Sequence, residues 1–316
     1  MQENHTNMQV DVSIVIPVYN EEESLPELEN EIAKALGGTY NYEVIFVDDG
    51  SSDTSWQQIK KLSDEKEFIH GISFSHNYGK SVALQAGFEK AIGTYVATMD
   101  SDLQDDPNEI PEMIQMLKDG YDLVSGWKKE RHDPISKTIP SKFFNFVTRK
   151  VAGIELHDFN CGLKAYKSEV VENIYLYGEL HRYIPMLAKK EGFTRITEKV
   201  VKHHPRKYGK TKFGLSRFMN GFLDLVTISF VQKYLQKPMH FFGTIGVILL
   251  IIGSGINLYI AYIKLILGQG IGDRPLLILG VLLMVLGVQL FSTGLLGEMI
   301  NKNNVEGQKP RIRETV

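Results

Sequence analysis

Two short apolar runs decide the fold: residues 12–17 read VSIVIP and residues 42–48 read YEVIFVD. Both are rich in β-branched residues and end in polar residues, which predicts buried β-strands. Residues 95–99 (YVATM) and 122–125 (DLVS) repeat the pattern, and segments 22–36, 55–65 and 80–91 have helical apolar spacing. Strands that alternate with helices predict an α/β domain with helices on both faces of a mostly parallel sheet.

Polar residues follow the first two predicted strands. Pro17, Tyr19 and Glu21 follow the first, and Asp48 and Asp49 end the second. Ligands bind beyond the carboxyl ends of the strands in such sheets. The aspartate pair is therefore predicted to bind a base or ribose through hydrogen bonds, the alternative being a turn that leads into a helix cap. For the following residues 51–53 (SSD) we favour that turn and cap.

A cluster of carboxylates follows the strand at residues 95–99: residues 100–106 read DSDLQDD. Like charges this close repel unless they are solvated or neutralised by a cation. Hard oxygen ligands suit Mg²⁺ or Mn²⁺, so Asp100 and Asp102 are predicted to bind a divalent metal. The alternative is a solvated acidic loop. Asp105 and Asp106 are interpreted as caps of the helix that begins near Pro107.

Composition excludes several classes of protein. The 316 residues suffice for one catalytic domain and an appendage, and a net charge of −3 gives no reason to expect a nucleic-acid partner. The single cysteine, Cys161, excludes a disulfide framework and a cysteine-rich zinc site. Residues 1–10 lack a basic region followed by an apolar stretch, so no secretory signal peptide is expected.

Two segments near the C-terminus are long enough to cross a bilayer. Residues 238–263 and 275–297 contain no Asp, Glu, Lys or Arg, and a spanning helix needs about 20 apolar residues. The short glycine-rich turn at 268–272 predicts a transmembrane hairpin; the alternative is a pair of buried core helices. Basic residues concentrate before and after the hairpin, which predicts that both termini are cytoplasmic and that the chain is a multi-pass protein of the cytoplasmic (inner) membrane.

Residues 215–236 have apolar positions at roughly helical spacing, interrupted by Arg217, Asp224 and Lys233. A helix of this kind can lie in the membrane interface and hold an active site at headgroup height. The alternative is a helix that packs into the core. The predicted organisation is a catalytic domain at 1–212, an amphipathic juxtamembrane helix at 213–237, the hairpin at 238–300 and a cytoplasmic basic tail at 301–316.

The motifs VSIVIPVYNEEESL (residues 12–25), VIFVDDGSSDTS (44–55) and MDSDLQDDPNEIPEM (99–113) together resemble the inverting nucleotide-sugar glycosyltransferases with a GT-A-type fold. The hairpin narrows the resemblance to the polyprenyl-phosphate glycosyltransferases, which include dolichol-phosphate mannose synthases and bacterial undecaprenyl-phosphate glucosyltransferases. The resemblance implies transfer of a hexose from UDP- or GDP-sugar to a polyprenyl phosphate, with inversion. It implies Mg²⁺ or Mn²⁺ as cofactor, and the bilayer as a partner; a homo-oligomer is left open.

The resemblance also assigns residues. Those that would bind the nucleotide-sugar are Pro17, Tyr19, Glu21, Asp48, Asp49, Lys80, Asp100 and Ser101. The metal would be bound by Asp100, Asp102 and Gln104. The residues implied in catalysis are Asp102, Arg131, Asp158, Arg206 and Lys212. His76 stands where the family has arginine before Asn77, and Cys161 and Lys164 depart from the family's Asp-x-x-Ser-Gly-Phe-Arg element.

A phosphate monoester has a second pKa of about 6, so a lipid-phosphate acceptor needs little help from a base. Asp158 is therefore expected to orient the acceptor. Residues 206–212 are expected to close over the diphosphate; the alternative is a segment that only touches anionic headgroups.

Two other functions remain open at this stage. A processive polysaccharide synthase would normally carry a Gln-x-x-Arg-Trp motif and more spans, and neither is visible. A non-catalytic nucleotide-sugar-binding membrane protein is disfavoured by intact Asp100 and Asp102.

Overall fold

The structure, a computed structural model, describes residues 10–129, 145, 148–149, 152–205, 207–208, 238–270, 275–303 and 312–315. The chain divides into two compact units. One comprises Met1–Phe222 with Lys309–Val316, and the other comprises Leu223–Gln308. The predicted interfacial helix at 213–237 lies outside the described residues.

The first unit begins with alternating strands and helices. In chain order these are β1 (Val12–Val18), α1 (Leu25–Leu36), β2 (Tyr42–Asp48), α2 (Ser55–Glu65), β3 (Ile69–Phe74), α3 (Lys80–Lys90), β4 (Tyr95–Thr98), α4 (Ile110–Lys118) and β5 (Leu123–Trp127). It continues with β6 (Lys164–Lys167), α5 (Ser168–Asn173), α6 (Ile184–Lys190) and β7 (Ile196–Val200). Short 3₁₀ helices at Pro107–Glu109 and Leu180–Tyr183 precede α4 and α6.

One eight-stranded sheet organises this unit, with the order β7-β5-β6-β4-β1-β2-β3-β8, in which β8 is Ile312–Thr315. β1 lies parallel to both β2 and β4, and β2 lies parallel to β3. β6 is antiparallel to its neighbours β4 and β5, whereas β5 and β7 are parallel. The predicted α/β fold with a mostly parallel sheet is confirmed. The carboxyl ends of β1, β2 and β4 consequently lie next to one another at one edge.

The core forms where the helices cover the sheet. Leu25, Leu28, Ile32 and Leu36 recur at helical spacing on α1 and are fully buried. They belong to one cluster with alternate residues of β1, including Ile14. Each buried leucine or isoleucine contributes about 1.5–3 kcal/mol relative to an exposed one, so this face fixes α1 on the sheet.

The last strand, β8 (Ile312–Thr315), pairs antiparallel with β3 at the edge of the sheet. Residues 301–316 were predicted to form a cytoplasmic basic tail, but these four residues are part of the sheet of the first unit. Because β8 covers the outer edge of β3, that edge strand is not left open to pairing with other chains.

The second unit contains two long helices, α7 (Pro238–Leu265) and α8 (Pro275–Asn303). Their apolar windows have mean hydropathies of 2.1 and 2.4, and only 17% and 11% of each window is buried. Core helices of a soluble domain would be mostly buried, so the low burial disfavours that alternative. Both helices are long enough to cross a membrane.

The two helices touch at glycines. A Cβ atom on Gly246 would lie 2.7 Å from the carbonyl oxygen of Gly287, and one on Gly253 would lie 2.7 Å from that of Gly280. In lipid, helices do not associate through the hydrophobic effect, so their association depends on close packing, which small residues allow.

Candidate active site

The edge formed by β1 and β2 is the predicted nucleoside site. Tyr19 is 39% exposed, and Pro17 and Glu21 are partly exposed beside it. Asn20 has a φ of 53°, a left-handed conformation that asparagine tolerates better than most residues. Its backbone N–H donates to Ser51 Oγ at 2.9 Å, which ties the two predicted nucleoside-binding segments together.

The two aspartates at the end of β2 are both buried. Asp48 accepts hydrogen bonds from the backbone N–H of Ser51 at 3.0 Å and from Ser73 Oγ at 2.9 Å. Asp49 accepts from the backbone N–H groups of Tyr78 and Gly79 at 2.7 and 2.9 Å. Burial raises the pKa of Asp49, and these two hydrogen bonds oppose that shift. Through these hydrogen bonds, both carboxylates fix the loops that follow β2 and β3 at this edge of the sheet.

The predicted metal-binding residues follow β4. Asp102 is partly exposed and accepts a hydrogen bond from the backbone N–H of Gln104 at 3.2 Å. Leu103 between them has a φ of 59°. Residues with a Cβ atom rarely adopt this left-handed backbone conformation, which costs about 1–2 kcal/mol. Such strain is characteristic of functional loops. Ser101 is buried, and its carbonyl accepts a hydrogen bond from Ser24 Oγ at 2.6 Å.

Asp100 is paired with Lys80, which opens α3. Burial acts to raise the pKa of Asp100, but the charges of Lys80 and Lys128 lower it well below its usual value. The group is therefore an ionised oxygen donor. No cluster of three or more His, Cys, Asp or Glu side chains suited to a metal occurs among the described residues. A metal at Asp100 and Asp102 would take its other ligands from water, amide oxygens and substrate phosphates, as Mg²⁺ commonly does.

Asp105 differs from its predicted role. It does not cap a helix: its side chain is fully buried and forms an ion pair with Lys128 at 2.7 Å. Its other oxygen accepts a hydrogen bond from the backbone N–H of Asp100 at 3.3 Å. Asp106 does cap, because it accepts a hydrogen bond from the backbone N–H of Asn108 at 3.0 Å at the start of the 3₁₀ helix. Sequence reasoning missed Lys128, since nothing local marks it as the partner of Asp105.

A small cavity of about 10 Å³, roughly the space of one water molecule, lies next to Asp100, between β4, β6 and α3. Its lining residues are Lys80, Leu84, Thr98, Phe159, Asn160, Cys161, Gly162, Lys164, Tyr166, His181, Arg182 and Ile184. Gly162 lies directly against the first predicted metal ligand, because a Cβ atom there would lie 2.6 Å from Asp100 Oδ2. Only glycine fits at that position without moving the carboxylate.

Two titratable groups that line this cavity have lowered pKa values. Burial and the charge of Lys80 lower the pKa of His181 to about 2, so this side chain is neutral. Its Nδ1 lies 2.9 Å from Ser81 Oγ. Burial, with Lys80 nearby, also lowers the pKa of Lys164, whose Nζ donates to the carbonyl of Cys161. Sequence reasoning missed His181 and noted Lys164 only as a departure from the family pattern.

Asp158 precedes the cavity and is buried. Its Oδ1 accepts a hydrogen bond from the backbone N–H of Asn160 at 3.1 Å, and its backbone carbonyl accepts one from Ser125 Oγ at 3.4 Å. The side chain lies close enough to Lys164 to influence its ionisation. Lys80 and Asp100 also act on the pKa of Lys164.

Gln104 connects the loop of the predicted metal ligands, residues 100–104, to the segment just before the predicted basic loop at residues 206–212. The backbone N–H of His204 donates to the Gln104 carbonyl at 2.9 Å, and Gln104 Nε2 lies 3.4 Å from the His204 carbonyl. The predicted residues Arg131, Arg206 and Lys212 lie outside the described residues. Lys207, which is described, forms an ion pair with Glu27 at 2.6 Å.

The domain family described as "Glycosyl transferase family 2" matches residues 13–175. The chain belongs to this family. It is 39% identical over 296 residues to a dodecaprenyl-phosphate galacturonate synthase of Rhizobium johnstonii, covering 92% of this chain and 88% of that protein. It is 36% identical over 303 residues to an undecaprenyl-phosphate 4-deoxy-4-formamido-L-arabinose transferase of Aeromonas hydrophila, covering 95% and 90%.

Among solved structures, glucosyl-3-phosphoglycerate synthase of Mycobacterium tuberculosis, in complex with Mn²⁺, UDP-glucose and phosphoglyceric acid, aligns with a TM-score of 0.53 at 18% identity. The alignment covers 71% of this chain and 79% of that one, and it shows a shared fold. The two named relatives are polyprenyl-phosphate glycosyltransferases, so the resemblance drawn from the sequence motifs is confirmed.

Proposed function

We propose that this protein transfers a sugar from a nucleotide-sugar to a polyprenyl phosphate in the membrane, with inversion. The observation that carries the proposal is the placement of Asp100 and Asp102. They lie between the nucleoside edge at β1–β2 and the cavity at β6, in a chain that also has two membrane-length helices. The names of both relatives specify a polyprenyl phosphate.

We infer that Asp100 and Asp102 hold Mg²⁺ or Mn²⁺, with Gln104 contributing an oxygen. Their ionised carboxylates fit a hard divalent cation, and the low pKa of Asp100 keeps it ionised across physiological pH. A bound metal would neutralise charge on the departing diphosphate. Lys80 pairs with Asp100; if the two carboxylates held a metal, that lysine would be able to contact the diphosphate.

In the proposed reaction, an oxygen of the lipid phosphate forms a bond to the anomeric carbon while the bond to the diphosphate breaks. The nucleoside diphosphate leaves with the electron pair. The acceptor is already largely deprotonated, since its second pKa is about 6. Asp158 would therefore orient the acceptor rather than remove its proton. Arg131, Arg206 and Lys212 would contribute positive charge near the phosphates.

The orientation proposed is cytoplasmic for the catalytic domain, in the inner membrane. β8 follows the hairpin and pairs with β3, which precedes it, so the chain between them must cross the membrane an even number of times. Two crossings satisfy this requirement. The basic residues outside the hairpin favour the cytoplasmic side.

The test is incubation of the full chain, in membranes, with radiolabelled nucleotide-sugars and polyprenyl phosphate, followed by lipid extraction. We expect label in the lipid, abolished by a chelator and restored by Mg²⁺ or Mn²⁺. Asp102→Asn should lower the rate by at least about 100-fold without lowering the thermal denaturation midpoint, because the charge it removes acts on the reaction. Transfer at the full rate in excess chelator would contradict the proposed metal site. Absence of label from the lipid with every donor would contradict the proposed function.

A further inference from the structure

Gln289 is a polar residue in the middle of an apolar helix. It lies in α8, inside the membrane-length window Pro275–Met299. At 1.5 Å per residue it is about 21 Å from the start of that window and about 15 Å from its end. The hydrocarbon core of a bilayer is about 30 Å thick, so this residue lies near its centre when α8 spans the membrane, too deep for the side chain to reach either headgroup region.

The side-chain amide of Gln289 is exposed, and it forms no hydrogen bond within the part of the chain that the structure describes. The hydroxyl of Thr293 donates to the backbone carbonyl of Gln289 at 2.9 Å, which leaves the amide itself unchanged. A polar group without a hydrogen-bond partner is costly in hydrocarbon, where water cannot replace the partner. The amide therefore needs a partner in the membrane.

Helix α7 cannot be that partner, because it packs on the other side of α8. The contact runs along Gly280, Gly287 and Gly294, one heptad apart, and a Cβ atom on Gly287 would lie 2.7 Å from Leu250 Cγ. At 3.6 residues per turn, Gln289 lies about 200° around the helix from Gly287. The amide thus faces away from the hairpin.

The face that carries Gln289 has the spacing of a helix-packing surface. Steps of three and four residues from Gln289 lead to side chains that are all exposed, the apolar ones 51–72%. They are Ile278, Leu282, Val285, Ser292, Leu296 and Met299. Helices that pack along their length use this a/d spacing, and one polar residue at such a position specifies register and oligomeric state. We call these residues and Gln289 the Gln289 face.

A second copy of the chain supplies what this face lacks. All copies insert with the same orientation, so a two-fold axis along the membrane normal makes two α8 helices parallel and brings the same residue of each copy together at the same depth. A carboxamide has N–H donors and a carbonyl acceptor, so two facing Gln289 side chains satisfy each other. Lipid chains would cover the apolar residues but offer the amide no hydrogen bond.

We propose that the Gln289 face is a self-association surface, through which two copies of this chain pack in the membrane with their Gln289 amides hydrogen-bonded to each other. The inference concerns the second unit alone and does not depend on the proposed sugar transfer.

Cysteine cross-linking tests the face while Gln289 stays in place. Cys161 is buried, so an introduced cysteine is the reactive one. In native membranes with an oxidant, Val285→Cys and Ser292→Cys, on either side of Gln289, should each give a disulfide-linked product of twice the chain's mass. Leu295→Cys is the matched control: Leu295 is 46% exposed on the same helix but lies about 120° from Gln289. Its cross-linking should be at least about fivefold weaker, because its Cβ vectors point apart in the dimer.

The amide is tested by the dimer dissociation constant, measured by sedimentation equilibrium of the full-length protein in density-matched detergent. Gln289→Leu should raise this constant by about 3–30-fold, the range for hydrogen bonds between membrane helices. Gln289→Asn, which keeps an amide, should raise it less. Thr244→Val is the control, since the exposed Thr244 donates to the His240 carbonyl of its own helix at 2.6 Å; it should leave the constant unchanged.

Cross-linking at Val285 and Ser292 together with weaker association of Gln289→Leu supports the proposal. Monomers in both membranes and detergent overturn it, and leave a lipid or another segment of the same chain as the partner of the amide. A cross-linked product whose mass is not twice that of the chain assigns the face to a different protein and overturns the second copy as occupant. Equal dissociation constants for wild type and Gln289→Leu, or cross-linking strongest at Leu295→Cys, place the contact elsewhere and also overturn it.

Discussion

Asp105 connects three segments around the candidate site. Its side chain binds Lys128 and the backbone of Asp100, and its backbone forms a β-bridge with His203. Asp105 thus links the loop of the predicted metal ligands to Lys128 and His203. We therefore assign Asp105 as a positioning residue, which acts on the reaction through Asp100.

Asp105→Asn should lower stability by about 3 kcal/mol, because it leaves the buried Lys128 without its partner. It should also raise the metal concentration needed for half-maximal transfer by at least about tenfold. Adding Lys128→Met should restore stability but not metal affinity. Asp106→Ala is the control: it removes a cap, costs about 1 kcal/mol, and should leave the metal titration unchanged. Equal metal titrations for wild type and Asp105→Asn would limit Asp105 to a structural role.

His181 predicts a dependence of stability on pH. Its pKa is lowered to about 2 in the folded protein, against about 6.5 in the unfolded chain. Below pH 6.5 the unfolded state binds one more proton, so stability falls as pH falls. Between pH 8 and pH 5 this loss amounts to about 2 kcal/mol. Thermal midpoints should show it, and His181→Asn should flatten that part of the profile, whereas replacing the exposed His76 by asparagine should not.

At the scale of elements, the strands that could be predicted from the sequence are those with an uninterrupted apolar pattern. β1, β2, β4 and β5 are apolar runs, and each appears where periodicity predicts it. β3 (IHGISF) was missed because histidine and glycine interrupt its apolar pattern. β6 (KAYK) and β8 (IRET) were missed because their charged residues resemble a surface segment.

The same distinction applies to the site. The position of Asp100 and Asp102 could be predicted, because they directly follow a strand and ligands of such sheets bind at the carboxyl ends of the strands; their role as metal ligands stays a prediction. The cavity could not be predicted, since Lys80, Lys164 and His181 come from distant parts of the chain. The pairing of β4 with the antiparallel β6 brings Lys164 to this place, and the hydrogen bond between His181 and Ser81, next to Lys80, brings His181.

Removal of residues 312–316 should loosen β3. This deletion takes away β8 and its backbone pairing with Ile72, Ser73 and Phe74, and exposes an unpaired strand edge. Hydrogen exchange of the backbone amides in Ile69–Phe74 should accelerate by at least about tenfold. Exchange in β2, between two retained neighbours, is the internal control. Unchanged exchange in β3 would mean that β8 contributes nothing to this edge.

The helix pair offers a matched test of glycine packing. Gly253→Leu places side-chain atoms against Gly280 and Met284 of α8, whereas Gly255 has no neighbour within 4 Å of its Cβ position. Overpacking costs about 1–3 kcal/mol, so Gly253→Leu should lower the thermal midpoint in detergent while Gly255→Leu should not. Equal midpoints for the two variants would contradict the packing described here.

At the scale of the whole molecule, the proposed topology can be tested with almost no alteration of the chain. Cys161 is the single cysteine; burial raises its pKa to about 12, so it should not react with a maleimide in the folded protein. A cysteine introduced at Gly270, which has open space around it, should be labelled by an impermeant maleimide on intact cells. One introduced at the exposed Glu67 in the catalytic domain should be labelled only after permeabilisation.

The labelling pattern follows from charge and from β8 together. The cations outside the hairpin favour the cytoplasmic side, and the pairing of β8 with β3 requires residues 69–74 and 312–315 to share one side. A cysteine at Thr315 should therefore behave like the one at Glu67. Labelling of Gly270→Cys only after permeabilisation would mean that the hairpin does not span the bilayer. Labelling of Glu67→Cys on intact cells would instead reverse the orientation and place the catalytic domain outside.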